Sequence, residues 1–142
     1  MEFNALIPEF AVADIAASLD FYVGLLNFKV EYDRPEEGFA FLSFGRAQLM
    51  LDQIGVGRTY ETALLERPLG RGCNLQIEVG CLQLDTMLNA RASVETPLFL
   101  PPEEKWYMVG DVECGQRQFA VMDPDGYLLR FMCDLGSRGA AA

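Results

Sequence analysis

Arg130 is the residue of this sequence whose chemistry fits its setting least. In "YLLRFMCDL", strict alternation puts Leu128, Arg130 and Met132 on one face of a strand and Tyr127, Leu129 and Phe131 on the other, so a guanidinium stands between two apolar side chains. A cation in that position can hold a carboxylate of the chain, such as Glu78, or an anionic group of a ligand. A second set lies in "EEKWYMVGDVE", where Trp106 and Tyr107 stand beside Glu103, Glu104 and Asp111. Flat rings next to negative charge suit a planar cation, each aromatic contact contributing about 0.5–1.5 kcal/mol. The same rings would serve equally well to pack their segment down.

Other chemistries are harder to build. The chain has no histidine, the commonest transition-metal ligand and the commonest general base near neutral pH. Its four cysteines, Cys73, Cys81, Cys114 and Cys133, are dispersed without a C-x-x-C pair, which suggests neither a zinc site nor a disulfide framework. Reduced structural thiols are expected, and Cys114, with no basic partner beside it, reads as inert. Glu9 and Glu78 read as strand-surface charges. No cofactor is implied.

A formal charge of −10, from 21 acidic and 11 basic residues, excludes the basic stripe of a nucleic-acid binder; it aids solubility and attracts cationic small molecules. The apolar runs are shorter than the roughly 20 residues that span a bilayer. The beginning, "MEFNALIPEF", lacks a basic region followed by an apolar one. A soluble, unprocessed, cytoplasmic protein is expected, with no membrane partner.

With 51% apolar residues, 142 residues suffice for a single domain with a substantial core. "LIPEFAVAD" reads as a strand, followed by a helix that Asp14 caps and that Ile15, Leu19, Tyr22 and Leu25/Leu26 make amphipathic. Asn27 suits a left-handed helix end. Three strands follow, "FKVEYD", "GFAFLSFG" and "AQLMLDQ", the last two joined by a hairpin at "GR". After a Gly- and Arg-rich connector (about 55–72) the order restarts with strand "CNLQIEV", helix "CLQLDTMLNARA" and strand "VETPLFL". A polar loop, "PPEEKWYMVGDVECG", then precedes the strands "QRQFAVMD" and "YLLRFMCDL". "MDPDGY" joins these two: the Asp123 carboxylate caps the turn, Pro124 presets φ and Gly126 takes the left-handed position. Module one thus spans about 5–54 and module two about 73–135, with a disordered tail at 136–142. Sliding the chain by 67 residues lays Val12 on Val79 but Leu19 on Thr86, so the repeat is one of element order rather than identity.

Two β-α-β-β-β modules, the first carrying Pro8, Phe10, Val12, Asp14, Ser18, Phe21, Tyr22, Leu26 and Phe28, the second ending in Asp123-Pro124-Asp125-Gly126 and Phe131, resemble the vicinal oxygen chelate superfamily. That group includes glyoxalase I, extradiol dioxygenases and the fosfomycin- and bleomycin-resistance proteins. The resemblance runs from about residue 5 to 135. It implies an α+β fold whose two modules form an incomplete barrel around a pocket. In metal-dependent members the ligands come from the first strand of each module and from the last strand. Those positions fall here on Ile7, Asn74 and Arg130, an aliphatic residue, an amide and a cation, which do not suit a divalent metal.

Loss of the metal set points within the superfamily to the bleomycin-resistance branch, whose members sequester the cationic, planar drug without chemistry in clefts of a homodimer. Phe39 matches an aromatic cleft position of that branch, with Phe41 two residues on. Together with Glu103, Trp106, Tyr107, Asp111 and Arg130 these form the expected ligand-binding set. One departure stands out: the branch's Trp-Gly pair falls on Cys114-Gly115, and the sole Trp lies at 106. The alternative implied by the resemblance is a glyoxalase-like lyase, dioxygenase or isomerase with an atypical or absent metal site.

Overall fold

The computed structural model describes residues 1–92 and 97–139. Two compact units emerge, one of Met1–Gly72 with Asp123–Tyr127, the other of Cys73–Met122 with the chain from Leu128 onward. Each contains a four-stranded sheet.

In the first unit, strand β1 (Glu9–Val12) leads into helix α1 (Ile15–Leu19). Asp14, extended at φ −142°, accepts from the backbone N–H groups of Ala16 and Ala17, as its cap role requires. The helix continues as a π-helical stretch, Asp20–Leu25, closed by Leu26 N–H donating to Phe21 C=O at 3.0 Å. Tyr22 and Leu26 are fully buried there, and Asn27 ends the segment at φ 66°. Strands β2 (Lys29–Arg34), β3 (Phe39–Phe44) and β4 (Ala47–Gln53) complete a sheet of order β1-β4-β3-β2, with β1 parallel to β4. Alternation then divides the side chains. Phe10, Val12, Ala40, Leu42, Leu49 and Leu51 form one buried face, while Glu9, Tyr32, Arg34, Phe39, Met50 and Asp52 fall on the other.

The Asp123–Tyr127 turn completes this unit. Asp123 Oδ1 accepts from the N–H groups of Asp125 and Tyr127, both at 2.9 Å, and Gly126 sits at φ 91°. The other oxygen, Oδ2, accepts from the buried Tyr22 hydroxyl at 2.7 Å. Tyr127 stacks on Phe10 with ring centres 3.9 Å apart and donates to Ala11 C=O at 2.9 Å.

The second unit repeats the order: β5 (Asn74–Glu78), α2 (Cys81–Ala92), β6 (Leu100–Val109), β7 (Val112–Met122) and β8 (Leu128–Gly139), arranged β5-β8-β7-β6 with β5 parallel to β8. Three expectations are corrected here. Residues 101–115, read as a polar loop, form most of a long hairpin that turns at Gly110–Asp111. Pro101 and Pro102 fit because β6 is an edge strand with a register shift between Leu100 and Glu103. The tail was expected to be disordered from residue 136, yet Gly136–Gly139 continue β8, because β7 is long enough to pair with them as far as Val112↔Gly139. Reduced thiols were expected, yet Cys81 at the start of α2 bonds Cys133 on β8, with Cα atoms 5.1 Å apart; Cys73 and Cys114 are free. The expected strand "VETPLFL" falls partly on residues 93–96, which lie outside the described residues, as do 140–142.

Candidate functional site

The polar-aromatic face of the first sheet holds a cleft of about 250 Å³. Its wall is built by all four strands: Glu9 from β1, Tyr32 and Arg34 from β2, Phe39 from β3, and Met50 and Asp52 from β4. Cross-strand register brings them together, Phe39 facing Asp52 and Arg34 facing Phe39. Glu37, Arg58 and Tyr60 close the rim. A second cleft of about 200 Å³ shares Glu9, Asp52 and Tyr60, and adds Thr59 and Tyr127. The Thr59 hydroxyl is buried there without a hydrogen-bond partner.

One planar cation already occupies the aromatic wall. The Arg34 guanidinium carbon lies 4.0 Å from the centre of the Phe39 ring and 5.9 Å from that of Tyr32. Its Nε donates to Glu37 Oε2 at 2.6 Å, and that bond raises the Arg34 pKa. Behind it stand Glu9 and the buried Asp52. Burial, then the charge and hydrogen bonding of Asp52, raise the Glu9 pKa. Burial also raises that of Asp52, with Arg34 pulling it down and Glu37 pushing it up. Two carboxyls whose pKa values are raised in this way hold protons more readily than free ones, and a nearby cation favours their charged forms.

The expected ligand set divides between the units. Phe39 lines the cleft. Phe41, fully buried, stacks on Tyr32 with ring centres 5.1 Å apart, and Phe3 packs edge-on against it. In the second unit the Gln118 amide donates to Glu103 Oε1 at 2.8 Å and to the Tyr107 hydroxyl at 3.3 Å. Trp106 stands on β6 rather than on a loop, facing Gly115 across the ladder, with the Arg138 guanidinium 3.9 Å over its ring. A Cβ on Gly115 would meet Trp106 ring atoms at 2.6 Å, so the ring lies directly on the glycine. Asp111 is exposed at the hairpin turn. Arg130 on β8 faces Gln76, not Glu78, and among the described residues it makes no ion pair.

Tyr32, Arg34, Glu37, Asp52 and Tyr60 were not anticipated, and Glu9 was read as a surface charge. A signal existed for Asp52, which alternation in "AQLMLDQ" places on the face of Met50. Nothing local marks it as a neighbour of Glu9. Among the described residues no three His, Cys, Asp or Glu side chains are placed to share an ion, and Ile7, Asn74 and Arg130, at the positions that hold the metal in metal-dependent relatives, do not suit one.

No protein-family model and no curated protein sequence matches the chain. Among solved structures, a glyoxalase/bleomycin resistance protein/dioxygenase superfamily member from Vibrio splendidus 12B01 is 35% identical over 89% of this chain and 95% of its own, with a TM-score of 0.41. By that identity, the chain belongs to the glyoxalase/bleomycin resistance protein/dioxygenase superfamily. The fold likeness is carried by more distant structures. A virulence protein from Salmonella typhimurium is 19% identical, with 94% of this chain and 98% of that one covered and a TM-score of 0.67. TioX from Micromonospora sp. ML1 is 22% identical, with 94% and 100% covered and the same TM-score of 0.67.

Proposed function

We propose that this protein is a non-catalytic binder of the bleomycin-resistance type, which sequesters a cationic, planar aromatic compound. One observation carries the reading: a guanidinium lies 4.0 Å over the centre of the Phe39 ring, in a cleft that also holds three carboxylates, Glu9, Glu37 and Asp52. A wall that accommodates this cation has the shape and charge to accommodate a ligand's. The net charge of −10 favours the encounter. Phe41, Glu103, Trp106, Tyr107 and Asp111 belong to the proposal as further ligand contacts.

A homodimer belongs to it as well, supported by the exposed Met108, Val109 and Val112 near the tip of the β6–β7 hairpin, an apolar cluster that a partner would cover. Among the described residues no helix is long and apolar enough to cross a membrane. A cytoplasmic setting is part of the proposal, and there the Cys81–Cys133 bond would face a reducing thiol pool. Calorimetric titration with metal-free bleomycin tests the reading. Saturable heat that is lost in Phe39→Ala supports it, whereas no heat at high micromolar drug rejects it. Sedimentation velocity tests the dimer.

A further inference from the structure

We propose that Arg130 anchors a carboxylate-binding site on the sheet of the second unit, taking the ligand's two oxygens along the edge of its guanidinium. Four other arginines, Arg34, Arg67, Arg117 and Arg138, each hold a carboxylate: Glu37, Asp125, Asp85 and Glu113 respectively. Arg130 holds none among the described residues, although the chain carries 21 acidic residues. Its Nε, like that of Arg91 on α2, is shut off from water and has no acceptor; Arg130 differs in standing in the middle of a sheet. Only Nε is enclosed in this way and the residue as a whole is half-buried; an enclosed donor without an acceptor is costly, and the outer guanidinium nitrogens leave an edge at which an acceptor from outside can arrive.

The surroundings define that acceptor. In register, Arg130 lies between Gln76 on β5 and Ala120 on β7. Gln76 uses its side-chain oxygen for Gln116 Nε2, at 3.4 Å, which leaves its amide N–H₂ as a neutral donor in the adjacent strand. Leu128 and Met132, on the same face of β8, supply apolar flanks. A planar pair of donors between apolar walls matches a monocarboxylate with an apolar body. It does not match a dianion, which the chain's net charge of −10 repels. The site uses none of the residues that line the cleft of the first unit.

The test is a titration of the arginine Nε–Hε resonances of ¹⁵N-labelled protein with benzoate, with benzamide as the neutral isostere and inorganic phosphate as a general anion. A saturable benzoate shift of one resonance is expected, absent in Arg130→Gln and not produced by benzamide. Arg130→Lys keeps the charge but lacks the planar edge, and should bind benzoate about tenfold more weakly. No saturable shift with benzoate would overturn the proposal. So would an equal response to phosphate, or a shift that persists in folded Arg130→Gln.

Discussion

The Arg34 guanidinium lies over the ring of Phe39, 4.0 Å from its centre, and is tied to Glu37 by a 2.6 Å hydrogen bond. The chain therefore presents its own cation to the surface on which a cationic ligand is proposed to rest. Arg34 competes for that surface, and it also offsets part of the negative charge behind it.

Arg34→Ala should consequently tighten binding of a planar cation by about fivefold, the scale of one exposed cation–π contact. The Arg34–Glu37 pair is exposed, so the urea midpoint should move little. Calorimetry on the variant reads the first effect and denaturation the second. Weaker binding would mean that Arg34 holds the ligand rather than competing with it.

Glu9 and Asp52 both have pKa values raised above their ordinary 4.5 and 3.8. The folded chain binds these protons more readily than the unfolded chain does. Their contribution to stability is therefore greatest at low pH and falls as pH rises from the ordinary carboxylate values through the raised ones. Asp52→Asn should reduce that slope and make the protein slightly more stable at pH 7, while weakening cation binding. Urea denaturation of both proteins across acidic pH checks this. A variant less stable than the wild type at neutral pH would contradict it. Binding of the cation itself should tighten as pH rises through the raised carboxylate values, because the ionised carboxylates attract it.

Cys81 and Cys133 are bonded across a sequence separation of 52 residues. In the chain-entropy view, a loop of that length stabilises the fold by at most about 4 kcal/mol. Thiol counting on the protein unfolded without reductant should find two thiols, those of Cys73 and Cys114, and dithiothreitol should lower the urea midpoint. Four titratable thiols in freshly isolated protein would show that the bond does not form.

Gly115 lies under the Trp106 ring, where an added Cβ would come within 2.6 Å of ring atoms. Gly115→Ala should force the indole off its strand and destabilise the protein by about 1–3 kcal/mol. Trp106 is the only tryptophan, so a change in its emission reports the displacement directly. Unchanged emission and stability would mean that the ring is not seated on the glycine.

Features fixed by a few neighbouring residues were legible in the sequence. Asp14 caps its helix, Asn27 takes positive φ, and Asp123 folds its own turn through atoms within four residues. The order of elements also followed from local patterning. The β6 strand was hidden because its prolines and charges are tolerated on an edge, a property of the sheet rather than of the segment. Cys81 and Cys133 meet only because α2 begins over β8, which no spacing rule encodes. The cleft was hidden for the same reason. Arg34, Phe39 and Asp52 become neighbours through the register of three strands, and Glu9 joins them through a parallel pairing that spans the whole first module.

The most direct measurement is a calorimetric titration of the protein and of Phe39→Ala and Asp52→Asn with metal-free bleomycin, at low and moderate salt. Saturable binding by the wild type, weakened about tenfold or more in both variants and reduced by added salt, is expected of an acidic aromatic cleft. Heat absent from the wild type would contradict binding of that drug, and equal affinity in all three proteins would place the ligand elsewhere.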